Sequence, residues 1–377
     1  MKLKLKILVL VLIPFGIFAQ SVEDEINIAG FRFLDYNNQL PDDLLSSKTA
    51  VFVSVPPKSR NTSERGDWKT FSETAHSQFK KMGIDAVAYY FMDDLKAGND
   101  PALFFSKELE KRQVKNIILL SQVPLKIAGK VTERFVIVIT PFNGENSFIS
   151  NGQNAWKTQA KDYDKALKTL GKDVYRSKQS KTNFLIPDFP EFFEDADIIK
   201  GRRIPTFARD LKVDKLAIPK STTVEIPDNR PGGAINKSVE KEITEYNKNV
   251  VRDNTRLENI MKSYPLKYEL TESSSDEELY KQGFQYVLLK LNTTGTNIRR
   301  MLDYEIDPSE SDFVTVKNKD GKVTLRSIPV NAPVYKYYVK HLYTKDVYTG
   351  DKWDADETWE DALQNFIMKM KADLKLK

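Results

Sequence analysis

A mixed α/β protein of two related lobes, each a mixed sheet flanked by helices, is the fold class this sequence predicts. Three observations predict it. Short β-branched runs alternate with stretches whose apolar residues recur every three or four positions, the order of the first half returns in the last third, and prolines crowd the span between. The 377 residues include no cysteine. Disulfides, thiolate metal sites and cysteine nucleophiles are thereby excluded, and stability has to come from packed cores, for which a chain of this length suffices.

The elements follow in order. Lys2, Lys4 and Lys6, the apolar run Ile7 to Phe18 and the small Ala19 have the pattern of a secretory signal cut after Ala19. The apolar run is too short for an anchoring helix, and Pro14 and Gly16 interrupt it. Residues 20–176 form the N-terminal lobe. Ala50 to Pro56 reads as a buried strand, and Trp68 to Met82 as a helix with Phe71, Ala75, Phe79 and Met82 on one face and Gly83 as its stop. Asp85 to Phe91 is a second strand, Pro101 to Arg112 a second helix and Lys115 to Ser121 a third strand. A hairpin turns near Gly129-Lys130 into Arg134 to Thr140, and a long helix is expected from Trp156.

Residues 177–234 contain six prolines, too many for a long helix or a central strand. Phe184, Phe189, Phe192, Phe193 and Phe207 make the segment too apolar to float free, so it reads as a strap lying against the lobes. Within 235–263 a single amphipathic helix of about 40 Å is expected, running from Ile235 to Met261, as a packed inter-lobe element.

Residues 264–377 repeat the order of the first lobe. Strands at Leu266 to Leu270 and Phe284 to Asn292 each precede a helix or follow one, and a hairpin turns at Asp320-Gly321. Val334 to Leu342 is an aromatic strand ahead of a last helix from about Ala355. Two registers relate the final helices: Trp156 with Trp359, or Tyr163-x-x-Ala166-Leu167 with Trp359-x-x-Ala362-Leu363. In topology, the spans 45–175 and 257–377 resemble the small α/β domains at the start of the Tol translocation protein and in the curli secretion lipoprotein. No motif stands behind that likeness. It implies an α/β fold, and the leader and composition look like those of exported proteins of Gram-negative envelopes.

Charge narrows the partners. The net charge is +5, but setting the three leader lysines aside reduces 58 basic residues to 55, against 53 acidic ones. That balance excludes a broad nucleic-acid face. A local basic feature remains: Lys157, Lys161, Lys165, Lys168, Lys172 and Arg176 recur at helical spacing, opposite Tyr163 and Leu167, in a stripe suited to lipid phosphates or an acidic partner. Thr294 and Thr296 lie between a strand and a helix carrying Arg299 and Arg300, a place where anions bind and where hydroxyls also cap.

The catalytic constellations fail on spacing or residue type. Asp93 and Asp94 of Phe-Met-Asp-Asp are similar to a polymerase carboxylate pair but sit at a strand exit of an α/β unit. Gly232-Gly233 with Lys237-Ser238 lacks the spacing of a phosphate loop. Ser274-x-x-Glu277 and Ser275-x-x-Glu278 are capping boxes. Asp351, Asp354, Asp356 and Glu357 lack the glycine of a calcium loop and suit a helix start. His76 and His341, the two histidines, read as structural. No cofactor and no metal site are expected.

The balance favours a non-catalytic periplasmic binding or scaffold protein, a component of an outer-membrane-associated envelope complex. Its partners would be envelope proteins or an anionic surface polymer, with peripheral membrane contact. The alternative is a hydrolase or transferase of an envelope polymer that uses Asp93 and Asp94 with the Thr294 loop.

Overall fold

The computed structural model describes residues 28–59, 65–127, 130–193, 198–226, 237–272, 275–307, 309–319, 322–350 and 354–376. The leader, Gly232-Gly233, Ser274, Asp320-Gly321 and Asp351 lie outside them.

After a 3-10 turn at Ile28–Phe33, the N-terminal lobe contains β1 (Asp35–Tyr36), β2 (Lys48–Ser54), α1 (Trp68–Met82), β3 (Asp85–Phe91), α2 (Met92–Leu95), α3 (Asn99–Lys111), β4 (Val114–Ile127), β5 (Lys130–Pro141), β6 (Asn154–Ala160) and α4 (Tyr163–Ser177). Next come β7 (Phe192–Phe193), β8 (Arg203–Ile204), a 3-10 turn at Arg209–Lys212 and β9 (Leu216–Pro219). The rest is α5 (Lys237–Met261), β10 (Tyr268–Thr271), α6 (Asp276–Lys281), β11 (Tyr286–Thr294), α7 (Gly295–Met301), β12 (Asp312–Lys319), β13 (Lys322–Pro329), β14 (Pro333–His341), β15 (Val347–Tyr348) and α8 (Trp359–Asp373).

Both large sheets are mixed. The first runs β1-β6-β5-β4-β2-β3-β7, and the second, read in the same sense, β8-β15-β14-β11-β9-β10. Strand for strand the orders match, with β7 added at one edge. In each, two parallel neighbours adjoin a strand that turns back antiparallel: β2 lies parallel to β3 and β4, and β4 antiparallel to β5. In the second sheet β9 lies parallel to β10 and β11, and β11 antiparallel to β14. The hairpin β12–β13 stands as a separate two-stranded sheet.

The span read as a strap therefore supplies strands to both sheets. β7 extends the first beside β3, whereas β8 and β9 belong to the second. Proline limits the length of a strand more than its existence: Pro205 follows β8 and Pro219 ends β9, so the prolines punctuate strands of two and four residues. The long helix α5 connects the parallel strands β9 and β10 as the crossover of the second lobe. It also reaches the first, where Val239 and Ile243 pack with Phe33, and the Arg32 guanidinium lies 4.6 Å from the Tyr246 ring centre.

Trp156 lies in β6, buried, with its indole N–H donating to Asp173 Oδ2 at 3.0 Å. The helix expected there starts seven residues later, because Asp162 is the cap whose carboxylate accepts from the Lys165 N–H at 2.8 Å. Tyr163 and Trp359 are thus the first residues of corresponding helices, and the second of the two registers is the one adopted.

Five layers result. On the outer face of the first sheet, Val51, Val53, Tyr89, Ile118 and Ile139 pack with Phe79 of α1 and Leu167 and Leu170 of α4. The corresponding outer face of the second packs Leu216, Leu288, Tyr337 and Val339 with Leu257 of α5 and Phe366 of α8. The two inner faces share one core, with Phe52, Tyr90 and Leu119 from one side and Leu289, Leu291 and Tyr338 from the other, around Leu95, Phe105 and Ile298. Strands covered on both faces need unbroken apolar runs, as in Ile117-Ile118-Leu119-Leu120.

Gly98 sits at the seam between the lobes. The neighbouring Ala97 carbonyl accepts from the Asn292 N–H at 2.7 Å, and a methyl group on Gly98 would lie 2.6 Å from the Lys290 carbonyl oxygen. Gly98→Ala is expected to force β11 away from the first lobe and destabilise the protein by about 1–3 kcal/mol. Urea denaturation with a probe in each lobe checks this, and an unchanged midpoint would refute it.

Candidate functional site

The structure brings together two motifs that lie 200 residues apart in sequence. α2 holds Asp94 at the C-terminal end of β3, and α7 holds Asn297 at the end of β11. Arg65 joins them: its Nη2 donates to Asp94 Oδ1 at 2.8 Å and to Asn297 Oδ1 at 2.9 Å, while its guanidinium lies 4.5 Å from the Phe91 ring centre. Arg300 Nη1 donates to the same Asn297 oxygen at 3.2 Å, and Asn297 Nδ2 donates to Thr293 Oγ1. Burial pushes the Asp94 carboxyl above its ordinary value, against the pull of Arg65 and then Arg300. Asp93 turns outward to Lys96, 3.1 Å away. The arrangement clamps lobe to lobe through one guanidinium and one carboxyl.

The threonines of that loop are spent on structure. Thr294 Oγ1 accepts from the Asn297 N–H as the cap of α7, and Thr296 Oγ1 donates to the Val330 carbonyl. Arg299, buried, forms an ion pair with Glu310 and lies 5.7 Å from the Phe313 ring centre. Of the four residues expected to hold an anion there, only Arg300 is exposed.

The described acidic residues before α8 are paired from within. Lys336 pairs with Asp354, both with fully buried side chains, and Arg326 pairs with Asp356 and Glu357. These charges have side-chain partners as well as their place just before α8, of which Thr358 is the cap. Among the described residues no group of three or more His, Asp or Glu could hold a metal ion. Both histidines are engaged. The Pro187 carbonyl can only accept, so His76 Nε2 carries the hydrogen, 3.0 Å away, and Nδ1 meets the Tyr89 hydroxyl at 2.9 Å. His341 Nδ1 accepts from the Thr344 N–H. Ser275 caps α6 as its sequence box implies.

An open groove of about 750 Å³ runs between α5 and α8, lined by Asn259, Ile260, Ser263, Gln364, Met368 and Lys371 among others. Lys371 is the single charged side chain on its walls, so it lacks an acid and base pair.

A different surface stands out. Residues 178–191 follow α4 around the N-terminal ends of β2 and β3. The segment is held by backbone and polar contacts: the Thr182 N–H donates to the Leu45 carbonyl, Asn183 Nδ2 donates to Ser47 and Gly83 carbonyls, and Asp188 pairs with Lys80. Three of its large apolar side chains are exposed, while Ile186 is half-buried. Phe184 is 82% exposed, Leu185 94% and Phe189 82%, and Tyr175 at the end of α4 is 86% exposed. The expectation that Phe184 and Phe189 lie against the lobes is therefore corrected, and of the five phenylalanines only Phe207 is fully buried, with Phe192 and Phe193 partly so. The physical reason is that an extended, proline-rich segment bonded edge-on by its polar groups keeps too few side chains turned inward.

The basic stripe meets this surface at its Arg176 end, where α4 runs into Lys178. Lys157 lies in β6, half-buried, 4.9 Å from the Tyr36 ring centre, and Lys161 lies in the turn before α4. Lys165, Lys168, Lys172 and Arg176 are exposed along α4, and Arg176 also contacts Asp173. Helical spacing found Lys165, Lys168, Lys172 and Arg176 but set Lys157 and Lys161 on the same helix, which the structure corrects, and the segment's phenylalanines were expected to face inward. Among the described residues no helix is long and apolar enough to cross a membrane.

Comparison with protein-family models, with curated proteins and with solved structures returns no match.

Proposed function

We propose that the chain is an exported, non-catalytic periplasmic binding protein of the cell envelope, freed of its leader after Ala19, that works through the exposed apolar end of its N-terminal lobe. One observation carries the reading: Phe184, Leu185 and Phe189 project into solvent from a segment that polar contacts hold in place. Large apolar side chains left exposed close together along one fixed segment mark an interaction site. The paired sheets and inter-lobe clamps give that surface a rigid support, and envelope proteins or an anionic surface polymer are the partners its composition suits. A photo-crosslinking residue at position 185, activated in intact cells, is expected to give discrete adducts with envelope components. Failure to form any adduct there, with efficient expression, would refute the reading.

A carboxylate-dependent hydrolase or transferase is the second reading, and one observation favours it: Asp94 and the Thr294 loop meet at the C-terminal strand ends, where α/β sheets place their sites. Arg65 and the internal use of both threonines speak against it. Asp94→Asn is expected to loosen the lobes without abolishing any turnover. Release of reducing ends from envelope polysaccharide that Asp94→Asn eliminates would reverse the order of the two readings.

A further inference from the structure

We propose that the apolar and basic end of the N-terminal lobe docks on an anionic phospholipid bilayer, with Phe184, Leu185 and Phe189 entering the acyl boundary and flanking lysines meeting headgroup phosphates. The inference names the occupant of the surface described above and rests on that reading.

Exposure and charge select a bilayer. The three side chains are each more than four-fifths exposed on a segment that belongs to no helix or strand, so a folded protein partner would need a pocket for each. A fluid bilayer has no such requirement, and it accepts aromatic and aliphatic tips at the headgroup boundary. Over residues 161–190 there are seven basic residues against four acidic. Asp188 is met by Lys80 from outside the span, whereas Asp173 is shared between Trp156 and Arg176, one of the seven. The uncompensated charge therefore favours a negative surface.

The basic residues gather at the same end as the apolar ones. Lys178 is the left-handed cap residue of α4, three positions after Tyr175. Lys181 runs alongside Gly83 at the end of α1, close enough that a methyl group there would lie 3.2 Å from its Cδ, and Asn183 bonds the Gly83 carbonyl at 3.1 Å. Lys80 and Lys81 close the adjoining turn of α1, both exposed. Because the segment is already ordered by these contacts, docking requires little further loss of backbone freedom.

The absence of cysteine makes the test simple. Leu185→Cys provides the sole thiol for an environment-sensitive dye, and co-flotation of the unlabelled protein gives the affinity. With vesicles of phosphatidylcholine and phosphatidylglycerol, the dye emission is expected to shift to the blue and the protein to float. With phosphatidylcholine alone, binding is expected to fall at least tenfold. Phe184→Ser/Leu185→Ser/Phe189→Ser is expected to lose at least tenfold on the anionic vesicles, with an unchanged thermal melt because all three side chains are exposed. Lys172→Gln/Lys178→Gln/Lys181→Gln is expected to lose a similar factor and to show a shallower salt dependence.

Equal binding to neutral vesicles, or binding that neither variant weakens, would overturn the inference. No vesicle binding together with a protein adduct at position 185 in cells would overturn the bilayer and leave the binding surface standing; the absence of both would remove both.

Discussion

Lys336→Met is expected to destabilise the protein by about 3–5 kcal/mol, because removing one partner of a buried ion pair takes the nearest countercharge from the other. The Lys336 ammonium is bonded to the Asp354 carboxylate in the second lobe, and both side chains are fully buried. Nearby, the Tyr304 hydroxyl donates to the Thr349 carbonyl at 2.7 Å and to the Gly350 carbonyl, and the Tyr304 ring lies 5.7 Å from the ammonium. Water cannot replace the lysine without opening that shell. Asp354→Asn is expected to cost a similar amount from the other side. The double variant Lys336→Met/Asp354→Leu removes both charges, and is expected to recover most of the loss, since apolar substitutes for a whole buried pair are often neutral or better. Urea denaturation of the four proteins forms a double-mutant cycle. A single variant that loses under about 1 kcal/mol, within the range of exposed pairs, would show that Asp354 finds another partner and would sink the argument.

These lysines also show where the sequence was readable and where it was not. The helix at Trp68–Met82 and the strand at Asp85–Phe91 were legible to the residue, because Asp67 caps one end and Gly83, at φ 90°, stops the other. Local chemistry decides such boundaries. The strand Pro333–His341, expected from Val334 to Leu342, was legible as a strand, and its period of two put Tyr335, Tyr337 and Val339 on one face. On the opposite face Lys336 and Lys340 alternate with Val334 and Tyr338, which a solvated face would explain equally well. Only the packing of the two sheets against one core shows that this face is buried and that each lysine needs a carboxylate. The strands β8 and β9 were hidden for a different reason: two and four residues between prolines carry no detectable period. At the candidate surface the helical lysines were legible from their spacing, while the exposure of Phe184, Leu185 and Phe189 depends on long-range bonds from Asn183 and Asp188 that no local pattern announces.

Lys340→Met is expected to loosen the two lobes and to do so only within a defined pH range. Lys340 is buried in β14 and donates to Asp100 Oδ1 of the first lobe at 2.5 Å, while its ammonium lies 2.9 Å from Asp276 Oδ1. Tyr338 adds a hydrogen bond to Asp100 at 2.9 Å, and Lys345 pairs with Asp276 at 2.8 Å. Losing the central ammonium leaves two half-buried carboxylates facing each other, a change in the class that costs about 3–5 kcal/mol. Burial alone would raise the Asp276 carboxyl, but Lys340 and then Lys345 outweigh it and hold it below its ordinary value. Its contribution is therefore present above the unfolded carboxyl value of about 3.9 and fades as the pH falls through the lower folded value. Burial would likewise lower the Lys340 ammonium, and Asp100 with Asp276 overcome this and raise it. That contribution is full below the unfolded lysine value of about 10.4 and fades as the pH climbs through the higher folded one. The stability gap between wild type and Lys340→Met should thus be widest between those limits and shrink at both extremes. Denaturation midpoints measured from acid to alkaline pH test this. A gap that stays constant across the whole range would mean that Lys340 acts by filling space, and the electrostatic account of the lobe junction would fall.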